Sequence, residues 1–188
     1  MDASMVQSLI NSEDSVNNAE IELKDEIQDR LRQKKEASAL DNGIIEDEEE
    51  EELRTYKKAH SLYSGEIVEL KDDYSKVIFS PTEEMAVDDY DLVNQGFIFS
   101  AAHLAAISAV NNPKAIITNC TAKFLAPIEI GTILEFEAFA KRGDMKKSEV
   151  KVIGKLLGVK IFEADFHAVK LDKHPLKIKL IQETRANR

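Results

Sequence analysis

Only one cysteine occurs in 188 residues. Cys120 therefore has no partner for an internal disulfide, and no Cys/His cluster has the spacing of a metal site, so structural zinc is not expected. A membrane span is missing too. The longest apolar run, Phe97 to Val110, is interrupted by Ser100, His103 and Ser108 and is too short to cross a bilayer. The N-terminus lacks the basic start and continuous apolar stretch of a secretory signal, so the cytoplasm is the expected location. Basic charge is scarce in the first quarter of the chain: residues 1–52 hold 17 acidic and 5 basic side chains, against 18 and 20 in the remainder. A head of that sign repels phosphate backbones, and a nucleic-acid partner is not expected.

Hydrophobic residues make up 43% and charged residues 32%, ordinary values for a soluble chain with one buried core and an appendage. Residues 1–17 are polar. From Asn18 to Leu40 there is neither Gly nor Pro, and Ile21, Leu23, Ile27 and Leu31 recur among charges, which predicts an exposed amphipathic helix free to dock on a protein partner. Asp41-Asn42-Gly43 stops it, and the acidic run Glu46–Glu52 reads as a solvated spacer or an acidic interaction tail.

The pattern then becomes that of strands. Segments 65–70 and 74–80 flank the polar turn Lys71-Asp72-Asp73, a hairpin signature closed by Pro81. An acidic loop, Glu83 to Asp91, leads to Asn94-Gln95-Gly96 and the run 97–110, apolar nearly all round and therefore a helix enclosed on most sides. Pro113 ends it. Three further strand-like segments, 115–125, 132–141 and 147–171 with a turn at Leu157-Gly158, complete an α+β pattern: one buried helix with a sheet curling round it. The expected organisation is an acidic extension over 1–60, a compact domain over 61–180 and a basic tail over 181–188.

This order resembles the hotdog fold of acyl-CoA thioesterases and related acyl-thioester-binding proteins. Two motifs carry the resemblance: Asn94-Gln95-Gly96 where many members have His-Gly-Gly, and Thr121-Ala-Lys-Phe-Leu-Ala-Pro127-Ile-Glu-Ile-Gly131, similar to a strand ending in Phe-x-x-Pro-x-x-x-Gly. The helix and following strand also resemble the effector domain of the malonyl-CoA-responsive repressor of bacterial fatty-acid synthesis, without its DNA-binding domain. The resemblance implies a homodimer paired through the 115–125 strand, with a site for an acyl-CoA-type ligand at the subunit boundary, no resident cofactor and a place in fatty-acid metabolism. An edge strand gains backbone partners by pairing with its copy, which agrees.

Thioester hydrolysis needs donors for the developing oxyanion and a base or nucleophile. The amides near Gly96 and Phe97 suit the first role; the alternative is that Asn94 caps the helix and Gly96 relieves a tight turn. The second role lacks its usual carboxylate. The two positions that carry it in the enzymes correspond here to His103 and Phe97, and no Asp or Glu occurs from Leu92 to Asn119. The remaining catalytic candidates are His103, Asn94 and Asp91. His103 is either a base or a packed side chain satisfied by a neighbour such as Ser100. Ala126 stands where relatives carry an Arg, which removes any reason to favour a dicarboxylic acyl group. For ligand binding the candidates are Asn94, Gln95, Gly96, Phe97 and His103, with Lys123 on the interface strand and the basic turn Lys141, Arg142, Lys146 and Lys147 for CoA phosphates. Three functions stay open: a non-catalytic, regulatory acyl-thioester-binding protein, a thioesterase, and an interaction module with no ligand.

Overall fold

A computed structural model describes residues 51–143 and 146–177. The amphipathic helix and most of the acidic run, expected before residue 51, and the basic tail expected over 181–188 lie outside the described residues. The rest matches the expected element order closely. A short helical turn, α1 (Ser61–Ser64), precedes β1 (Glu66–Lys71) and β2 (Tyr74–Phe79); then come the long helix α2 (Gln95–Val110) and β3 (Ala115–Phe124), β4 (Leu134–Arg142), β5 (Lys147–Leu156) and β6 (Val159–Lys170). The strands form one antiparallel six-stranded sheet in the order β1-β2-β4-β5-β6-β3, curved around α2.

Alternation explains which face of the sheet meets the helix. Val77, Phe136, Val152, Phe162 and Phe166 point inward and are fully buried. The outer face carries charge: Lys76 pairs with Glu135, Lys155 with Glu137, and Glu163 accepts from both Lys123 (2.8 Å) and Lys160 (2.7 Å). Those two lysines hold the Glu163 carboxyl down at about 2. A helix flanked by such a sheet needs no polar stripe, and α2 has none. Ala101, Ala102, Ala105, Ala106 and Ala109 are all buried, and their small side chains let the helix sit close over β2, β4 and β5.

Two serines mark that contact. Ser75 of β2 donates from Oγ to the Ala105 carbonyl at 2.7 Å, whereas Ser108 Oγ is buried without a partner among the described residues. Removing an unsatisfied hydroxyl from a helix also gains helix propensity. Ser108→Ala is therefore expected to stabilise the protein by about 1 kcal/mol, raising Tm by roughly 2–4 °C; a fall in Tm would mean that the hydroxyl has a partner in solution.

Residues 51–60, read from sequence as part of the extension, pack on this domain. Asn111 ends α2 in the left-handed region (φ 42°), and its side chain is buried. Its Oδ1 accepts from the Arg54 amide at 2.7 Å, and its Nδ2 donates to the Glu52 carbonyl at 2.9 Å. Thr55 is buried, and the Tyr56 ring lies 5.5 Å from that of His103. Further along, Tyr63 of α1 stacks on Phe97 at 6.2 Å. The segment thus runs along the side of α2 that the sheet leaves uncovered, from its C-terminus toward its start. At the sheet edges, the Glu51 amide donates to Leu70 of β1, while β3 has no strand on its far side among the described residues.

Candidate functional site

The segment before α2 and the segment after β3 are tied together by backbone hydrogen bonds. Val93 donates to the Ile128 carbonyl (2.8 Å), Ile130 to that of Asp91 (3.0 Å) and Gly131 to that of Pro81 (3.1 Å). Gly131 holds φ +76°, a conformation costly for other residues, which explains the glycine that ends the second motif. These ties leave a groove of about 660 Å³ at the N-terminal end of α2. Ile98, Val93 and Ile128 form its buried floor. Phe124, Leu125, Ala126 and Pro127 make one wall, Val87 and Leu92 the other, and Ile161 closes the end. Phe124 is fixed edge-on against Phe162 at 5.2 Å.

Both sequence motifs therefore meet in one groove, and among the predicted site residues Asn94 and Gln95 line it. They are its polar groups. Asn94 caps the helix: its Oδ1 accepts the Gly96 amide at 2.8 Å, and its carbonyl accepts the Phe97 amide at 3.0 Å. The two amides that an oxyanion would use are thus already engaged. Gly96 is exposed at the helix start, and Phe97 turns toward Tyr63 rather than into the groove. Asp91 holds φ +62° with its carbonyl bound to Ile130, and its role in the structure is to shape the loop.

The other candidates lie elsewhere in the chain. His103 does not line the groove; its ring is surrounded by those of Tyr56 (5.5 Å), Phe99 (6.4 Å) and Phe166 (6.2 Å), and burial lowers its pKa from the ordinary value. The groups packed around the imidazole are thus aromatic rings. Lys123 pairs in register with Glu163 on the outer face, so alternation turns it away from the side on which Phe124 meets the groove. The basic turn is at the far end of the sheet. Lys147 is opposite Val169, eight residues along β6 from Ile161, or roughly 26 Å. Lys141 and Lys147 are exposed there, Arg142 closes β4, and Lys146 bonds Asp172 at 2.9 Å. Val87, Leu92 and Ile161 also line the groove, and no motif marks them in the sequence, whereas Leu125 lies inside the second motif.

Among the described residues no helix is long and apolar enough to cross a membrane.

No family profile matches the chain. It is 34% identical over 119 residues to methylthioribose-1-phosphate isomerase of Aquifex aeolicus, of which it covers 26%, and 30% identical over 129 residues to the transcription factor FapR of Caldanaerobacter subterraneus, of which it covers 64%. These matches take in 63% and 65% of the chain; at 26% and 64% of their lengths, the chain spans less than two thirds of either relative. Solved structures agree over nearly their whole length. An uncharacterized protein of Pyrococcus horikoshii is 31% identical with a TM-score of 0.66, covering 67% of this chain and 97% of its own. A sigma28-regulated virulence protein of Campylobacter jejuni is 35% identical with a TM-score of 0.63, covering 67% and 89%. The phenylacetic acid degradation protein PaaI of Thermus thermophilus, at 17% identity, a TM-score of 0.54 and coverage of 58% and 95%, has the same fold. With its six-stranded antiparallel sheet curled around a single long helix, the chain has the hotdog-like fold that these structures share.

Proposed function

We propose that this protein binds an acyl-CoA-type thioester without hydrolysing it, and that occupancy is signalled through the N-terminal extension to a protein partner in the cytoplasm. The observation that carries this reading is the groove itself: apolar walls, two amide side chains and no carboxylate or imidazole among its lining. A general base has no representative there, and the amides at the helix start are taken by Asn94. The match to a transcription factor supports a regulatory output. Residues 51–56, bonded to Asn111 and packed on His103, join the extension to the same helix whose other end opens on the groove.

The reading includes a homodimer. β3 is an edge strand, and antiparallel pairing with its copy about a two-fold axis would carry the Ala115 end of one strand to the Phe124 end of the other. Lys114 and the basic turn at 141–147 lie at the Ala115 end and would reach the mouth of the partner's groove, where CoA phosphates need cations. Sedimentation at twice the 21.1 kDa chain mass is expected, and a monomer would remove this part of the proposal.

The deciding experiment pairs a thermal-shift panel of acyl-CoAs with a free-thiol release assay. A ligand that binds only the native state raises Tm, by about 2.7 kcal/mol of stability at a hundredfold excess over Kd. Stabilisation without thiol release is expected. Thiol release abolished by Asn94→Ala or His103→Ala would instead establish a thioesterase, and silence in both assays would leave an interaction module.

A further inference from the structure

Resting on the thioester reading, we propose that the groove selects acyl groups uncharged along their whole length and rejects those ending in a carboxylate. None of the residues lining it is ionisable. Its polar groups are the Asn94 and Gln95 amides, and Asn94 Oδ1 is occupied by the Gly96 amide. A carboxylate carried inside would lose water and meet no counter-charge, a costly transfer.

The rim opposes it as well. The loop that supplies Val87 and Leu92 also bears Glu83, Glu84, Asp88, Asp89 and Asp91, all exposed, and no base. Across the groove Glu129, paired with Leu92 by an isolated bridge, adds a sixth acid. The cations nearest in sequence, Lys123 beside Phe124 and Lys160 beside Ile161, are held on the outer face by Glu163. Each feature alone would be modest. Together they place an apolar slot behind a negative rim, and both oppose the distal carboxylate of a dicarboxylic acyl group. Phosphates can still be met from the basic end of a second copy, so the selectivity concerns the acyl end alone.

Titration calorimetry of the full chain with octanoyl-CoA and with the CoA thioester of the eight-carbon dicarboxylic acid compares two ligands of equal length. The carboxylated ligand is expected to bind about a hundredfold more weakly, or worse. Equal affinities would overturn the selectivity while leaving thioester binding intact. Failure of both, together with a silent thermal-shift panel, would overturn the underlying reading. The triple variant Asp88→Asn, Asp91→Asn, Glu129→Gln keeps the side-chain oxygen of residue 88 that accepts from Tyr90 and Leu92. It is expected to bind the carboxylated thioester about tenfold more tightly and octanoyl-CoA unchanged. If the carboxylated ligand gains nothing, the rim has no part in the selection.

Discussion

Gly154→Ala is expected to cost about 3 kcal/mol of stability, the upper end of what overpacking does in a closed core. A Cβ at this position would stand 2.7 Å from Phe136 Cε1 and 2.9 Å from Phe162 Cβ, closer than real contacts allow. Neither neighbour has room to yield. Phe136 and Phe162 are both fully buried and lie edge to face at 5.9 Å, and the register of β5 already shifts between Gly154 and Lys155. The strain should reach the site, because Phe162 carries Phe124 and Phe124 walls the groove. Urea unfolding should report the loss as a lower midpoint at unchanged slope. Octanoyl-CoA affinity should fall with it. A stability loss under about 1 kcal/mol would mean that the sheet opens easily here, and that the groove wall is softer than its packing implies.

The fold was legible because its signals were local. β-branched residues alternating on either side of Asp72-Asp73, an apolar run bounded by Asn94 and Pro113, and a turn at Leu157-Gly158 each identify an element from its own residues. The cap was one of two readings left open at Asn94, and the side chain's bond to the Gly96 amide is the one the structure shows. Direction was not legible in this way. Lys123 faces outward because of its register with Glu163, which no single strand discloses. The basic turn lies far from the groove because β4, β5 and β6 run antiparallel from one end of the sheet to the other, a fact of topology rather than composition. His103 was ambiguous for a further reason: a helix apolar on every side has no polar stripe to set its phase, so its one imidazole could point anywhere. Residues 51–60 gave no warning of docking, as Leu53, Thr55 and Tyr56 are too few to form a pattern.

The position of His103 leads to the second large effect. Its ring faces Tyr56 from the N-terminal segment, Phe99 from α2 and Phe166 from β6, and no charged group is among these contacts. Burial therefore lowers its folded pKa, while the unfolded chain titrates near 6.5. The unfolded state then binds the proton first, so this side chain's contribution is intact above about pH 6.5 and is lost as pH falls through that value toward the folded pKa. His103→Leu should flatten the dependence of stability on pH just below 6.5. His103→Glu is the harsher change. It sets a carboxylate among three aromatic rings that offer it no counter-charge, at an expected cost of about 3 kcal/mol at pH 7. Protonation should return part of that loss as the pH is lowered toward 4, the opposite slope to the native protein. Yet the glutamate would occupy the position that the hotdog resemblance, counted from Asn94, assigns to a catalytic carboxylate. Nine residues beyond Asn94 it stands roughly 13 Å along the helix from that cap and outside the groove lining, so no thiol release from octanoyl-CoA is expected. Turnover by that variant would show that the middle of the helix reaches the thioester after all, through a crevice formed with a second copy.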